Sequence, residues 1–381
     1  MSGICVVGVG NGGCKIVDRL SGAVAPGLTS VAINTDARSV MASRATTKLQ
    51  IGANRTDGLG TGGDADIGRR SAEDEVPVIT NLLGDMDLVF VVVCLGGGTG
   101  SGAAPVVVKA AREAGATTLC VAVLPFKFEG GDQREQADHA LALLRGVAHV
   151  LMVVPNDRLS DFVGERSVAE TFDKVNEVLA SAIGGIFRLI TQPGYIALDL
   201  ANVEKAVEDT GGVGTLGYGE GSGEERTRQA VESLLSGPMV EGGRVISSAR
   251  SLLVSILGGP DLGLKEVGDI MRAIEAKARK DCHICMGTAI DETLRQKLSV
   301  VIIASEEAAP LDTTEVAPPV QAAPAEEANR GRKKSKSRPE QGQLGLGPAD
   351  RGRFKGVDPT ILDGEDLDIP TYLRRRLNIA R

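Results

Sequence analysis

The sequence predicts an α/β fold in which a doubly wound parallel sheet is followed by a long helix and a smaller α+β domain. Three observations support this prediction. The first 165 residues alternate short apolar runs with amphipathic stretches, residues 168–190 repeat apolar side chains every three or four positions, and a second set of strands and helices follows residue 225. Such alternation is typical of parallel sheets covered by helices on both faces.

Five apolar runs in the first 165 residues are predicted to be strands. Their apolar side chains are continuous rather than alternating, which is typical of strands buried on both faces. The strands are Ile4–Gly8, Ser30–Ile33, Leu88–Leu95, Thr118–Leu124 and His149–Val154. Two of the helices predicted between them are Ala103–Ala114 and Gln133–Arg145.

Residues 168–190 are predicted to form one long helix, because their apolar side chains fall on a single helical face. The pair Gly184-Gly185 either weakens this helix or permits a close contact with another helix. The apolar face holds Phe172, Val175, Leu179, Ile183, Ile186 and Ile190.

Residues 211–223 contain seven glycines and are predicted to form a loop. The smaller α+β domain follows this loop. Its predicted helices lie around 225–236 and near 264–279, and its predicted strands lie near 251–257, 282–287 and 298–304.

The composition changes after Ser305. Residues 306–329 are rich in Ala, Pro and Glu, and Arg330–Arg338 is strongly basic. Neither stretch has enough apolar surface to offset the entropy of ordering, so residues 306–360 are predicted to be a disordered linker with an r.m.s. span of roughly 40 Å. Residues 361–381 regain an apolar pattern.

The overall composition argues against several classes of protein. The 381 residues carry a net charge of −8, no Trp and only 3% aromatic side chains, which argues against nucleic-acid binding. No apolar run is long enough to span a membrane, and no basic segment precedes residues 4–10 as in a signal peptide. We therefore expect a cytoplasmic protein.

The six cysteines sit mostly in apolar runs, as buried and reduced thiols do. Cys282 and Cys285 have CxxC spacing, but the second half of a zinc site is missing. A strand there would direct the two thiols to opposite faces. We predict no metal site formed by the protein alone.

The most informative segment is the glycine-rich stretch 96–102, which lies between a predicted strand and a helix beginning at Ala103. Glycines let several main-chain N–H groups approach one anion, and a helix N-terminus adds partial positive charge. Thr99 and Ser101 add hydroxyl groups that can reach phosphate oxygens. The sequence therefore predicts a phosphate-binding loop.

A second glycine-rich turn, residues 8–13, follows the first strand and fits the GxGxxG pattern of dinucleotide-binding folds. Asp36, after the second strand, can serve as the ribose-binding acid of such a site. An NAD-dependent oxidoreductase is therefore an alternative. It does not explain the loop at 96–102, and no matching catalytic His or Lys constellation is visible.

The segment GGGTGSGAAP at 96–105 resembles the signature loop of the tubulin/FtsZ GTPases, and the chain is similar to the bacterial cell-division members of that family. The similarity covers residues 3–305 and resumes in the tail. Other loops that carry it lie at 8–15, 34–37, 58–69, 125–130 and 155–159. The resemblance implies a Rossmann-like GTPase domain that binds GTP or GDP, with Mg²⁺ held through the phosphates.

The resemblance also assigns roles within the nucleotide site. It implies that Glu129 contacts the ribose and that Phe172 and Asn176 contact the base. The complete set of implied nucleotide-binding residues is Gly10, Asn11, Gly12, Gly13, Cys14, Lys15, Asn34, Gly98, Thr99, Gly100, Ser101, Gly102, Glu129, Gln133, Arg134, Phe172 and Asn176.

Two segments of that set depart from the family pattern. The family usually has Arg four residues after the ribose-loop Glu, whereas this chain has Gln133 followed by Arg134. One helical step is about 100°, so whether Arg134 takes over is left open. The first loop carries Asn11, Cys14 and Lys15 where the family prefers glycines and Asn. Lys15 either adds charge near the phosphates or lies on the helix surface.

In this family a loop of one subunit completes the active site of the next, which implies head-to-tail filaments. The family pattern in that loop is Asn-x-Asp-x-x-Asp. This chain has Ala197 in place of the leading Asn, and it has Asp199 and Asn202 at the two catalytic positions. An amide can orient water but cannot accept its proton, so we expect slow GTP hydrolysis. The alternatives are compensation by Glu204 or Glu208 and a filament scaffold that barely hydrolyses GTP.

The tail at 366–376 resembles the C-terminal peptide with which this family binds membrane tethers and division regulators. Arg330–Arg338 and Arg374–Arg376 are predicted to be accessory contacts to anionic lipid. We expect a filament at the mid-cell division ring. The predicted partner-binding residues are Asp368, Ile369, Pro370, Tyr372 and Leu373.

The predicted domain boundaries follow from these assignments. They are 1–166 for the GTP-binding domain, 167–192 for the central helix, 193–305 for the C-terminal α+β domain, 306–360 for the linker and 361–381 for the partner-binding peptide.

Overall fold

The computed structural model describes residues 3–21, 28–157, 167–191, 196, 201, 205, 213–292, 294–305, 361–362 and 365–366. Ten strands of the described chain form one sheet. They are β1 (Ile4–Val9), β2 (Thr29–Asn34), β3 (Thr47–Gln50), β4 (Leu88–Cys94), β5 (Thr117–Leu124), β6 (Val150–Pro155), β7 (Val213–Ser222), β8 (Ser251–Gly258), β9 (His283–Ile290) and β10 (Lys297–Ser305).

Helices cover both faces of this sheet and join its strands. In chain order they are α1 (Gly10–Arg19), α2 (Ala37–Ala42), α3 (Ala53–Thr56), α4 (Ala65–Asp74), α5 (Val76–Leu83), α6 (Gly98–Glu113), α7 (Gly131–Val147), α8 (Val168–Thr191), α9 (Arg226–Ser236), α10 (Arg244–Ser248) and α11 (Leu264–Glu275). Short 3₁₀ turns lie at Lys127–Glu129 and Pro238–Gly243.

The first half of the sheet is parallel and has the strand order β3-β2-β1-β4-β5-β6. This is the order of a doubly wound Rossmann-like sheet, so the predicted fold class is confirmed. The order reverses between β1 and β4, and ligands bind such sheets in the crevice outside the carboxyl ends at that point. The topology therefore directs both glycine-rich turns to one crevice.

The continuous apolar runs are buried as predicted. Residues 89–93 of β4 are fully buried, with helices packed on both faces of the strand. Burial of one side chain of this size contributes about 1.5–3 kcal/mol before chain entropy is counted. A core of this kind gives the loops at the strand ends a rigid base.

The helix after the phosphate-binding loop begins at Gly98 rather than at the predicted Ala103. Most of the predicted loop is therefore the first turn and a half of α6. The glycines are needed there for close packing, because a Cβ on Gly100 would lie 2.4 Å from the Cys94 carbonyl oxygen and one on Gly102 would lie 2.0 Å from the Ala65 carbonyl oxygen. Only glycine lets α4 and β4 approach this turn so closely.

The predicted long helix is present as α8, and its apolar face is confirmed. Leu179, Ile183 and Ile186 are fully buried in the core between the helix and the sheet. A Cβ on Gly185 would lie 2.7 Å from Val301 Cγ2 of β10. Of the two alternatives for the glycine pair, the structure contains the close contact, and the contact is with a strand.

The prediction of a loop over residues 211–223 is wrong for the part that the structure describes, because Val213–Ser222 forms β7. Its glycines form a stripe on one face of the strand. A Cβ on Gly219 would lie 2.3 Å from the Ala230 carbonyl oxygen, and one on Gly221 would lie 2.0 Å from the Arg226 carbonyl oxygen. The glycines thus let α9 pack directly on the strand backbone.

The second half of the sheet contains the predicted α+β elements. β10 runs antiparallel to β7 and β8, and β9 runs parallel to β8 at the outer edge. α11 ends at Glu275, four residues before the predicted end. β7 also pairs with β6 from Leu151 to Val153, so the two halves form one continuous sheet.

Cys282 and Cys285 pack on opposite sides of β9, as predicted from their spacing. Within the described ranges no cluster of His, Cys, Asp and Glu has the composition of a metal site. No helix among the described residues has the length and apolarity required to cross a bilayer.

Residues 361–362 and 365–366 form a short antiparallel pair, β11 and β12, in a separate compact unit. The predicted linker at 306–360 and the partner-binding residues of the tail lie outside the described residues.

Candidate functional site

A groove runs along the carboxyl ends of the central strands and consists of two adjoining cavities of about 360 and 900 Å³. We call the smaller cavity, lined by Gly10, Gly98 and Thr99, the phosphate end. We call the larger one, lined by Phe172 and Asn176, the base end. The linings of both cavities include Gly12, Cys94, Leu95 and Glu129.

The phosphate end is built mainly from main chain. The N-termini of α1 and α6 meet there, and a Cβ on Gly10 would lie only 3.1 Å from the Gly100 nitrogen. Neither helix has an acidic residue in its first turn. Two helix N-termini bring unpaired N–H groups and partial positive charge to one point, which is suited to an anion.

Side chains between the strands hold these two turns in place. Asn34 Nδ2 donates to Asn11 Oδ1 at 2.6 Å, and Asn34 Oδ1 accepts from the Thr35 N–H at 2.8 Å. The Thr35 and Thr99 hydroxyl oxygens lie 2.7 Å apart and share a hydrogen bond. The phosphate end is therefore preorganised by bonds that do not involve a ligand.

Asp36 lines the phosphate end but acts as a helix cap. Its Oδ1 accepts from the main-chain N–H groups of Arg38 at 2.8 Å and Ser39 at 3.1 Å. This caps α2 and occupies the carboxylate that the dinucleotide alternative assigned to a ribose. The second glycine-rich turn is instead part of the same groove as the loop at 96–102.

Four of the predicted residues support the phosphate end without lining either cavity: Gly13, Cys14, Ser101 and Gly102. Ser101 Oγ accepts from the Gly96 N–H at 2.9 Å, so this hydroxyl fixes the loop. Cys14 Sγ donates to the Gly8 carbonyl oxygen at 3.4 Å, and burial raises the pKa of this thiol to about 12.

The base end is built from side chains of distant segments. Phe172 and Asn176 come from α8, and Phe172 is 39% exposed in the groove. The buried ring of Phe126 contacts it edge to face, with ring centroids 5.3 Å apart. This contact holds Phe172 in place while one part of its surface stays open to a flat ligand.

Asn156 is a residue of the base end that the sequence reasoning did not select. It follows β6, is 8% exposed, and its Oδ1 has no hydrogen-bond partner within the described part of the chain. An unpaired buried acceptor costs about 1–3 kcal/mol, which favours a role in ligand binding. The available signal was a polar side chain at the carboxyl end of a parallel strand.

Lys15 lines the base end and not the phosphate end. Two of the nearby charged side chains have partners: Arg19 lies 2.5 Å from Asp173, and Asp18 accepts from the Ser43 hydroxyl at 2.6 Å. Lys15 itself has no ion pair or hydrogen bond among the residues described. Its ammonium is therefore available to a ligand at this end.

Glu129 lies where the two ends join, and its Oε1 accepts from the Phe126 N–H at 2.8 Å. Gln133, with its side-chain nitrogen turned towards Glu129, donates to the Glu129 carbonyl oxygen at 2.9 Å and to Oε2 at 3.2 Å. Arg134 pairs instead with Asp138 at 3.4 Å on the outer face of α7. Gln133, rather than Arg134, is therefore the neighbour of Glu129.

The structure thus brings most of the implied nucleotide-binding residues into one groove, either as its lining or as its support. Arg134 is separate from it, and the predicted catalytic residues Asp199 and Asn202 lie outside the described residues.

Family models match most of the chain. The GTPase domain of the Tubulin/FtsZ family matches residues 3–164, and the C-terminal domain of the FtsZ family matches residues 212–307. The chain is 39% identical over 300 residues to "Cell division protein FtsZ 1" of Archaeoglobus fulgidus, which covers 79% of this chain and 81% of that protein.

Solved structures show the same similarity. An FtsZ dimer from M. jannaschii matches with a TM-score of 0.74 and 35% identity, over 80% of this chain and 88% of that one. CetZ2 from Haloferax volcanii, solved as a GTPγS-bound protofilament, matches with a TM-score of 0.65 and 25% identity, over 80% and 93%. These relatives are archaeal, so the similarity is not confined to the bacterial members. The chain belongs to the Tubulin/FtsZ family of GTPases, in its FtsZ branch.

Proposed function

We propose that this chain binds GTP in the groove, hydrolyses it when copies assemble head to tail, and forms filaments that act in cell division. The observation that carries this proposal is the continuity of the groove. A main-chain anion site at the helix N-termini of Gly10 and Gly98 opens directly into a side-chain pocket beside Phe172. A nucleotide carries its phosphates and its base at opposite ends, so it requires an anion site and a base pocket within the length of one molecule.

In this proposal each end of the groove recognises a different part of GTP. The N–H groups at the phosphate end bind the phosphates, and Glu129 accepts from the ribose. We assign to Asn176 and Asn156, which both line the base end, the recognition of a base whose N1–H and exocyclic amine are donors, since amide oxygens are acceptors. Acceptors placed there favour guanine over adenine, because adenine has no N1–H.

In this proposal Mg²⁺ binds through the phosphates of GTP. The oxygen atoms of Asn11, Thr35 and Thr99 are near the phosphate end, but the described residues form no acidic metal cluster. Such a site fits an ion that keeps most of its waters and binds through substrate phosphates.

Head-to-tail assembly is supported by the relatives and by the rim of the groove. The solved relatives include an FtsZ dimer and a CetZ2 protofilament. Leu59 lines the phosphate end and is 75% exposed, and Phe128 stacks on Phe126 and is 77% exposed. Large apolar side chains at the mouth of a ligand site suit burial by a second copy, which encloses the nucleotide.

We propose that Asp199 of one copy polarises the attacking water in the groove of the next. Asn202 stands where the family has an acid, so turnover is slow but nucleotide binding is retained. The variant Asn202→Asp is expected to hydrolyse GTP faster under polymerising conditions. Equal rates would instead favour compensation by Glu204 or Glu208, or a scaffold that barely uses hydrolysis.

The domain boundaries stated above and the roles of the tail belong to the same proposal. The segment 361–381 binds a membrane tether or division regulator and brings the filament to the division ring. Deletion of 361–381 is expected to leave GTP-dependent pelleting unchanged and to abolish ring localisation of a fluorescent fusion. Loss of pelleting would show that the tail serves assembly instead.

One experiment tests the core of the proposal: sedimentation of the full chain with GTP, GDP or NADH, with phosphate release measured in the same tubes. Pelleting and phosphate release with GTP are expected. Pelleting without release favours the scaffold alternative. Binding of NADH without binding of GTP would overturn the proposal.

A further inference from the structure

Thr288 makes a two-bond contact with the segment that leads to the proposed catalytic loop. It lies in β9, the outer strand of the sheet, and is 4% exposed. Its main-chain N–H donates to the Ile196 carbonyl oxygen at 3.0 Å, and its Oγ1 accepts from the Ile196 N–H at 3.3 Å. Both main-chain groups of Ile196 are thus held by one residue 92 positions away.

The two hydrogen bonds fix the main chain of Ile196, whose side chain is only partly covered, with 38% of it exposed. Thr288 is a rigid partner, because it is paired in register with Ile256 of β8 and because a β-branched side chain has restricted χ1 freedom. The hydroxyl therefore offers its acceptor at a defined point of the strand edge.

A second anchor holds the end of the helix that precedes this segment. Arg188 in the last turns of α8 lies 2.9 Å from Asp291, and both side chains are about 10% exposed. Asp291 directly follows β9. Arg188 and Ile196 are therefore both bound to residues in or next to β9.

We propose that Thr288 is a positioning residue for GTP hydrolysis, which sets the place of Asp199 through Ile196. The inference rests on the proposed role of Asp199. Asp199 follows Ile196 by three residues in the sequence, so the anchor immediately precedes it along the chain. Catalysis by an oriented water depends on such placement, and a shift of about 1 Å can cost about a hundredfold in rate.

The anchor is expected to affect turnover and not nucleotide binding, because no residue of the groove lining belongs to β9. Thr288→Val removes the acceptor and keeps the shape. We expect its kcat for phosphate release to fall about tenfold with KM for GTP within about twofold. Thr288→Ser keeps the hydroxyl and is expected to restore most of the rate.

The matched control is Ser251→Ala. Ser251 is 6% exposed in the neighbouring strand, and its hydroxyl donates to the His283 carbonyl oxygen at 3.3 Å without contacting Ile196. Its loss tests whether any missing hydroxyl in this part of the sheet slows turnover. The control is expected to keep the wild-type kcat.

A second pair of variants approaches the contact from the other side and leaves the buried strand intact. Ile196→Pro removes the N–H donor, whereas Ile196→Ala keeps it and trims the exposed side chain. A tenfold lower kcat is expected for the proline variant alone. If Thr288→Val does not fold, this pair of variants still tests whether the contact between Thr288 and Ile196 affects turnover.

All variants are measured as full chains for phosphate release at saturating GTP and for pelleting with a non-hydrolysable GTP analogue, beside Asp199→Ala. Wild-type kcat in both Thr288→Val and Ile196→Pro, with Asp199→Ala inactive, overturns the inference and leaves the proposed function standing. Wild-type kcat in Asp199→Ala overturns the proposed catalytic role itself. Equal loss in Ser251→Ala and Thr288→Val shows a general packing effect and also overturns the inference.

Discussion

The two ends of the groove recognise a ligand by different chemistry. The phosphate end offers main-chain N–H groups on turns where added side chains would clash, whereas the base end offers the side chains of Lys15, Asn156, Phe172 and Asn176. A main-chain site requires glycine for steric reasons and tolerates little change. A side-chain site can be altered one residue at a time. The departures from the family pattern occur at both ends, because Asn11 lines the phosphate end and Lys15 lines the base end.

The largest effect is expected for Gly102→Ala at the phosphate end. A Cβ there would lie 2.0 Å from the Ala65 carbonyl oxygen and 2.6 Å from the Arg69 nitrogen, so α4 and α6 must separate. We expect the free energy of unfolding to fall by about 2–4 kcal/mol and GTP binding to be lost, because overpacking shifts the backbone. Urea unfolding and binding of a fluorescent GTP analogue measure the two effects.

Gly146→Ala is the matched control for that variant. Gly146 lies in α7 with no heavy atom within 4 Å of an added Cβ, so alanine is expected to stabilise the helix by about 0.5–1 kcal/mol. If Gly102→Ala is as stable as this control and still binds GTP, the close packing of the phosphate end is not required.

A smaller and more selective effect is expected for Asn176→Ala at the base end. Loss of hydrogen bonds to the base costs about 2 kcal/mol, or about a thirtyfold weaker GTP affinity, and reduces the preference for GTP over ATP. Stability should change little, because this side chain lines a cavity. Competition binding with GTP and ATP measures both quantities.

Glu177→Ala is the control for Asn176→Ala. It changes the next residue of α8, which lines a different cleft together with Tyr218. If this control binds GTP with wild-type affinity and Asn176→Ala keeps its preference for GTP over ATP, Asn176 does not take part in base recognition.

The contrast between the two ends also explains what the sequence could predict. A glycine cluster between a strand and a helix has few explanations, so the phosphate end was predicted from the residues alone. Phe172 and Asn176 have the pattern of ordinary helix residues, and only the family resemblance selected them. Glycines were misleading in β7. Gly219 and Gly221 let α9 pack on this strand, but the sequence analysis predicts a loop there.

Asn156→Leu is expected to separate binding from stability. The unpaired Oδ1 of Asn156 is buried without a described partner, so its removal should leave the free energy of unfolding unchanged or raise it by about 1 kcal/mol. GTP affinity should fall about tenfold, because the base loses an acceptor. Unfolding and binding measured on the same preparation check this, and a variant that loses stability while binding GTP normally would contradict it.

The smallest effect at neutral pH is expected at Cys94, where the two ends of the groove join. Burial raises the pKa of this thiol from 9.0 to about 12, and the carboxylate of Glu129 adds to the shift. At pH 8 its thiolate fraction is therefore about a thousandfold below that of an ordinary thiol, and alkylation by iodoacetamide should be correspondingly slow. The rate should rise about tenfold per pH unit above pH 8.

The raised pKa of Cys94 also determines how the free energy of unfolding changes with pH. A pKa raised in the folded state stabilises the protein below pH 9, and this contribution is lost as the pH rises towards 12. Mass spectrometry of alkylated peptides can compare Cys94 with Cys285 in one sample, since both residues are half-buried. Equal rates for the two thiols at pH 8 would mean that water reaches the junction freely.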